Sequence, residues 1–586
     1  MLMIKYIKIS TGLFFSALMF MGVQAFGQTR ADSLNPKHQE NVTVYGTSKP
    51  VIEKAYKINQ KPQLPRIDMP STTFTDDFTG QEMPTTITLQ PIKPALITEE
   101  IKNTTWNNVF RLGVGSRISP YAEFFHSSGV ESSYRFNVHL YHYSSFANIK
   151  NYLPSPYSNT SAEVDFEKYF DYHILGFKAA YKLNANRYYG HETSHDTIAF
   201  NKKDNRFKQR YQEGSFSIDY ASTYRDFDKL HHRIQASTYY ISDIHGTSEL
   251  FAGINFDVHK AFEVYNVFNH QQLGIVGKYS LYQEKTNLGQ NRDNYIGGMP
   301  YFDAKYGIIS FRAGLNVQWL MSYNVKLHFY PYLDAKFNVI PQRFSLFAGV
   351  KGGLKKNSLA VLADENPFLS SYNNEYHWQN NKLEFYGGFK GNIARRLDFE
   401  VSAGYQTFQD MAFFDYPIFS SPDSSMSGPN PFSYLNVFNV KYASGNLMAF
   451  SAGLTYVNSS NVKVWLLGNY NRYNMDGNYR PLYKPLQEVR FGCSIRMSGK
   501  FRPWIEAYYM GNRWASYQLT SSGTGNSSYF YELPAYYDIN FGSDYQISTQ
   551  LSAFLKITNL LNQKYLQFNS YPVKGLEVML GAAYRF

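Results

Sequence analysis

From about residue 107 to its end, the chain alternates apolar and polar side chains with a period of two, segment after segment. Ile309, Phe311, Ala313, Leu315, Val317 and Trp319 share one parity, and Ser310, Arg312, Gly314, Asn316 and Gln318 the other. Leu397, Phe399, Val401 and Ala403 oppose Asp398, Glu400, Ser402 and Gly404 in the same way. Successive side chains of a strand point to opposite faces, so each segment has one apolar and one polar face. Many segments exceed the length usual for strands of globular sheets. The polar parity carries full charges, while the apolar parity is aliphatic in the middle and aromatic near the ends. That pattern matches an apolar outer band, aromatic girdles and a polar lumen. In lipid a sheet must close, because an open edge leaves peptide groups unpaired. The expected fold class is all-β: a closed antiparallel transmembrane β-barrel of roughly 20–22 strands over 107–586, after a mostly irregular N-terminal segment.

Composition agrees with this reading. The 51 Tyr, 46 Phe and 6 Trp make 18% of the chain, against only 18% charged residues. A soluble domain with so many rings shows longer apolar runs and more surface charge. The only continuous apolar run is N-terminal. Lys5 and Lys8 precede Thr11–Val23, which is too short to span a bilayer, and Ala25, Phe26 and Gly27 follow. This predicts a signal peptide over 1–27 with cleavage before Gln28. Residues 28–106 are rich in Pro and Thr ("KPQLPRIDMPSTTF", "MPTTITLQPIKPAL"), the composition of an extended periplasmic or lumenal segment. The expected location is the outer membrane of a Gram-negative bacterium, with membrane lipid as a partner. The net charge of +11 comes without a Lys/Arg run or nucleic-acid module, so no nucleic-acid partner is expected. The single Cys493 cannot form an internal disulfide. Lying on the apolar parity, it reads as a small buried hydrophobe.

Tight turns are expected at Phe170, Ser322, Ile340, Ser498 and Ile547, and longer connections near 144–159, 187–205, 286–301, 355–380, 413–431 and 517–534. Short turns and long loops alternate strictly from both ends, but around 340–380 and 410–445 the sides are not assigned.

Leu576, Val578, Leu580, Ala582, Tyr584 and Phe586 form the apolar face of the last strand. Gly581, Tyr584 and the terminal Phe586 resemble the C-terminal insertion signal of outer-membrane barrels, which barrel assembly machinery can capture by strand addition. The stretch "FLKITNLLNQKY" resembles the penultimate strand of TonB-dependent outer-membrane receptors, with Ile557, Asn559, Leu560, Asn562, Lys564 and Tyr565 on matching positions. Leu561 replaces that family's usual Phe. The following "YPVKGLEVMLGAAYRF" resembles the family's closing hairpin, with Gly575 kept. Val42, Thr43 and Val44, within "ENVTVYG", resemble the short box that contacts TonB. The resemblance implies a receptor-like barrel. Between box and barrel, however, 28–106 is shorter than the family's folded plug and lacks its Gly- and Arg-containing motifs. A barrel of this width needs a filled lumen; the N-terminal segment, inward loops, long side chains or a partner can supply the filling.

Sites for other chemistry are weaker. "HETSH" (His191–His195) fits H-E-x-x-H, but that zinc geometry needs a helix and Gly190 with its polar neighbours indicates a loop. His231, His232 and Ser237 match no hydrolase motif, and Ser420–Phe432 lacks the spacing of a calcium loop. No enzyme activity, cofactor or metal is therefore expected. Two functions remain: binding or passage of a solute through a receptor-like barrel, with TonB as a possible contact, or a non-transporting accessory subunit docked to an outer-membrane or periplasmic protein.

Overall fold

The computed structural model describes residues 106–586 except 130–132, 191, 193–206, 227, 263–267, 269, 323–324, 373, 417–436, 459–460 and 522–524. The strands are β1 (Asn108–Gly115), β2 (Ser119–Ser127), β3 (Tyr134–Ser145), β4 (Tyr157–Tyr169), β5 (His173–Arg187), β6 (Lys208–Ser222), β7 (His231–Ser242) and β8 (Ser248–Ala261). Next come β9 (His270–Thr286), β10 (Gly289–Tyr306), β11 (Ile309–Met321), β12 (Val325–Ile340), β13 (Phe344–Lys356), β14 (Trp378–Ala394), β15 (Leu397–Asp415), β16 (Asn439–Asn458) and β17 (Val462–Met475). The last are β18 (Gln487–Ile495), β19 (Phe501–Met510), β20 (Arg513–Ser521), β21 (Gly525–Leu533), β22 (Tyr536–Gln546), β23 (Leu551–Thr558), β24 (Leu566–Phe568), β25 (Tyr571–Pro572) and β26 (Glu577–Arg585). One helix, α1 (Leu359–Glu365), lies between β13 and β14.

Twenty-two of these strands form one sheet, with β20–β21 and β24–β25 as separate two-stranded ribbons. The sheet closes where β1 pairs antiparallel with β26, from Val109 opposite Arg585 to Gly115 opposite Met579. The backbones of Asn108 and Phe586 exchange hydrogen bonds of 3.0 and 3.1 Å beyond that ladder. The strand number is the upper value expected from the sequence.

The longest connections all lie at one end of the barrel, although short ones, at 116–118, 287–288 and 322–324, lie there too. Turns 170–172, 307–308, 341–343 and 395–396 lie at the end that carries both barrel termini. Connections 146–156, 188–207, 357–377, 416–438, 511–535 and 559–576 lie at the other. The sides left open around 340–380 and 410–445 follow from two features. Connection 357–377 contains α1, and β15 and β16 run to 19 and 20 residues. One expectation is corrected. Residues 286–301 are not a long connection but the tight turn of the β9–β10 hairpin and most of β10, with Gly289 at φ +134°. Gln283, Lys285, Gln290 and Arg292 are exposed on its outer face, above the apolar Tyr279 and Ile296. Loop-like polarity here belongs to strands that stand clear of the bilayer. The Ser322 turn also lies at the end with the long connections.

The two faces follow the sequence parity. Leu327, Phe329 and Leu333 of β12 are exposed outward, while Tyr330 and Tyr332 are buried on the lumen side. Large inward rings fit because glycines face them: Trp465 lies opposite Gly492, and Trp504 opposite Gly542. A Cβ at either glycine would sit 2.3 Å from the indole. Cys493 lies between Val464 and Ile505 on the outer face and is partly exposed. It is therefore not a buried core residue. The parity was read correctly, but in a barrel that parity faces lipid.

Candidate functional site: a capped polar lumen

The lumen wall carries charges in cross-strand pairs. Arg135 meets Glu167 at 2.7 Å, Lys178 meets Glu163 at 2.7 Å, Arg233 meets Asp219 at 2.6 Å and Arg312 meets Asp303 at 2.6 Å. Near the closing seam Glu123 accepts from Arg111 and Tyr121 and meets His139 at 3.1 Å. Paired charges on directly opposite residues favour the register that brings them together.

At the end with the long connections, those connections fold inward and share a hydrophobic core. Leu153, Tyr188, Phe207, Leu359, Leu362, Phe368, Leu369, Phe438, Leu482, Tyr483, Phe568 and Tyr571 all belong to it. Phe368 stacks on Tyr571 with centroids 3.8 Å apart, and Phe438 meets Tyr483 edge-on at 5.5 Å. The backbone is tied across loops as well: Ser370 N donates to Phe438 O at 2.8 Å, and Tyr483 N to Trp514 O at 2.8 Å. The Arg513 guanidinium donates to the carbonyls of Leu566 and Gln567, each at 2.8 Å. A shared core of this kind makes the loops one cap over the mouth.

Helix α1 anchors the cap to the wall. Ser358 caps its N-terminus, and the Glu249 carboxylate of β8 accepts from Leu359 N at 2.8 Å, where the helix dipole favours an anion. Glu365 at the other end pairs with Lys484. Beyond α1, Ser371 Oγ donates to Asp243 in the β7–β8 turn, and Thr247 Oγ1 donates to Ser371 O at 3.1 Å. Tyr188 OH donates to Leu369 O at 3.0 Å.

Beneath the helix, Lys356 Nζ lies 2.7 Å from Glu284 and 2.7 Å from Asp293 and donates to the carbonyl of Tyr376 at 2.5 Å. Trp378 Nε1 donates to the same Asp293 at 2.9 Å. The three charged side chains are only 2–4% exposed. Glu284 and Asp293 stand on the part of the β9–β10 hairpin above the apolar belt, and Lys356 ends β13. There, burial pushes the Glu284 carboxyl up to about 7, against the pull of Lys356. For Asp293 burial also acts upward, but Lys356 and its hydrogen bonds prevail and hold it below the usual carboxylate range. Nothing in the sequence singles out Lys356, Glu284 or Asp293, since Asp293 lies within the expected loop 286–301 and Glu284 just before it. The helix was legible: Ser358 precedes Leu359, Ala360, Val361 and Leu362 as an N-cap precedes an apolar run.

The residues that carry the family resemblance fall into two places. Gly581, Tyr584 and Phe586 line the closing seam, with Tyr584 and Phe586 facing outward and their rings 5.6 Å apart. Gly581 lies opposite Gly113, and a Cβ there would stand 2.1 Å from the Phe554 ring. Ile557 is in β23, but the strand ends at Thr558, so Asn559, Leu560, Asn562, Lys564 and Tyr565 form the turn beyond it. The strand stops because Asn559 and Asn562 adopt φ of +49° and +51°. Asn562 Oδ1 accepts from Leu576 N at 2.9 Å, beside Gly575, where a Cβ would meet it at 2.1 Å. Tyr565 OH donates to Asp538 at 2.7 Å, and its ring stacks 3.7 Å from Tyr536. Motif and closing strand thus shape a single corner of the barrel.

Other candidates are not brought together. Val42, Thr43 and Val44, the segments 1–27 and 28–105, His191 and His195 lie outside the described residues, as does Ser420–Phe432. Glu192 forms an isolated bridge to Tyr152. His231 faces the lumen beside His259, whereas His232 faces outward beside His173 and Tyr220. Among the described residues no three His, Cys, Asp or Glu side chains cluster as metal ligands.

A scan of protein-family models finds no match, and neither does a search of curated proteins. Solved structures do match. The pyoverdine outer membrane receptor FpvA from Pseudomonas aeruginosa, bound to pyoverdine, is 12% identical over 82% of this chain and 78% of that chain, with a TM-score of 0.58. The siderophore receptor PirA from Acinetobacter baumannii is 10% identical over 82% and 81%, with a TM-score of 0.60. The ferric-catecholate import receptor Fiu from E. coli is 7% identical over 82% and 82%, with a TM-score of 0.58. At these identities the likeness is one of fold: the chain has the 22-stranded barrel architecture that these solved structures share.

Proposed function

We propose that the chain is a non-enzymatic outer-membrane barrel that binds a solute at the cell surface or passes it, with the loop cap as the element that must move for entry. The observation that carries this reading is a wide, charged lumen shut at one mouth only by packed loops. Outer-membrane barrels have short periplasmic turns and longer extracellular loops, which puts the cap outside the cell and both barrel termini in the periplasm. The likeness to import receptors supports the same reading, and those receptors lend the idea that the solute is a chelated metal. TonB, approached through Val42–Val44, and the assembly machinery, approached through Phe586, are the partners this reading proposes.

The test is single-channel conductance in a planar bilayer for three forms: the full chain, the chain without 28–106, and a chain with 357–377 replaced by a short Gly-Ser turn. Passage under the cap predicts silence in the full chain and conducting events once 357–377 is replaced. Silence in all three would remove passage. It would favour the second reading, a non-transporting accessory subunit, for which the dense aromatic core of the cap already speaks.

A further inference from the structure

Several cations of the lumen wall meet a carboxylate on the neighbouring strand, as the pairs above show. One stretch gathers cations that do not. Near the end that carries residues 108 and 586, β10 to β17 enclose a cavity of ≈ 1000 Å³. Lys305, Lys336, Arg343 and Lys390 line it, and among the described residues none of the four makes an ion pair. The strand register sets them side by side. Lys305 lies opposite Ser310, and Ser310 opposite Lys336. Lys336 faces Phe347 on β13, and Lys390 reaches from β14 over that same ring, 5.7 Å from its centroid. Arg343 stands in the turn at the rim. One step deeper, Arg312 shows the usual arrangement, held by Asp303 at 2.6 and 2.7 Å.

The carboxylates of the cavity, Asp398 and Glu400, lie on β15. Glu400 is opposite Lys390 in register, yet the lysine turns away from it to the ring. Asp398 accepts from the Asn392 amide. Four cations against two carboxylates at the wall, with Asp334 of β12 one step deeper also acting on Lys336 and Lys390, leave the cavity positive. Lys305, Lys336 and Lys390 stand on alternate strands, β10, β12 and β14, so their repulsion acts across one intervening strand and a bound anion would relieve it. A concave site with low-dielectric walls focuses that potential on whatever enters. Its volume suits a small molecule rather than a folded partner.

We propose that this cavity binds a small multivalent oxyanion, a phosphorylated or polycarboxylate solute, from the end of the barrel that carries its termini. Lys336 and Lys390 act as point charges on one anionic group, while Arg343 offers a planar fork to a second at the rim. Asp398 and Glu400 accept from hydroxyl or ammonium groups of the same solute. The assignment does not depend on passage through the barrel, so a silent bilayer and a filled site are compatible.

Isothermal titration of the full chain in neutral detergent tests it, with pyrophosphate, citrate and inorganic phosphate as probes. Saturable one-to-one binding is expected for pyrophosphate or citrate, with phosphate weaker. The better of the two tells phosphoryl from carboxylate chemistry. Neutralising Lys336 and Lys390 together (K336Q/K390Q) is expected to weaken binding at least about tenfold. The control K178Q, which alters a paired lysine elsewhere in the lumen, leaves it unchanged. Should the double variant fail to insert, R343Q in the exposed turn is expected to weaken binding several-fold. No saturable binding to any probe overturns the proposal, and so does equal loss in K178Q.

Discussion

Replacing Lys356 by methionine isolates the tie between cap and wall. The substitution keeps most of the side-chain volume but removes the cation that contacts both Glu284 and Asp293. With side chains 4% and 2% exposed, neither carboxylate can turn to water without moving the structure around it. Removing one partner of a buried ion pair costs roughly 3–5 kcal/mol, because the other charge stays desolvated. The Tyr376 carbonyl loses its donor as well. At 1.36 kcal/mol per power of ten, the opening equilibrium of the cap should rise by roughly two to four powers of ten. The barrel ladders are not involved and should keep their stability. Hydrogen exchange followed by mass spectrometry reads both at once. Peptides from 357–377 should lose protection by that factor, while peptides from β11 and β12 should not change. The loss should also shrink at pH 5, where the stranded carboxyls can take up protons. Unchanged protection in 357–377, or equal loss across β11 and β12, would refute the argument: the first would mean the lysine anchors nothing, the second that cap and barrel open as one unit.

Three further outcomes follow from the same geometry. Phe438→Ala empties the centre of the aromatic cluster at a residue with 0% exposure, at a cost of about 3–5 kcal/mol; limited proteolysis should then cut within 357–377 or 476–486 much faster than in the unaltered chain. Gly581→Val drives a side chain into the Phe554 ring across the closing seam, so the variant should lose the folded, heat-modifiable band in unheated gels. The Glu284 carboxyl sits at about 7 in the folded protein, above its ordinary 4.5, because of burial. Its contribution is complete below pH 4.5 and is lost as pH rises through 7, whereas Asp293, held low, contributes at neutral pH and loses its contribution only in more acidic solution. Exchange protection in 357–377, corrected for intrinsic rates, should therefore fall between pH 5 and 8, and Glu284→Gln should abolish the fall.

Much of the barrel was readable because its physics is local. The parity of Ile309 to Trp319, or of Leu397 to Ala403, states which face meets lipid, and a sheet in lipid has to close. The cap was not readable, because its core comes from connections far apart in the chain. Leu153, Phe438 and Tyr571 each sit in a stretch that looks like an ordinary loop, and only the ring of strands brings them together. The β9–β10 hairpin misled for a related reason. Its outer face above the membrane is polar, so Gln290 and Arg292 carry the composition of a loop on the backbone of a strand. Asn559 and Asn562 show a third case: the motif was placed correctly, but a strand was expected where two left-handed residues make a turn. The unpaired Lys336 and Lys390 were visible as residues and not as a cluster, since register alone sets them on one wall.

That a loop core shuts the outer mouth over a polar lumen is tested most directly by thiol accessibility on whole cells. Ser237 faces the lumen in mid-barrel, between Ser217 and Gly253, and Ser237→Cys is a small change. The native Cys493 faces lipid and should stay silent to a bulky, membrane-impermeant maleimide added from outside. The capped barrel predicts no labelling of Ser237→Cys alone and rapid labelling once Phe438→Ala or Lys356→Met is added. Rapid labelling of Ser237→Cys with the cap intact would contradict it.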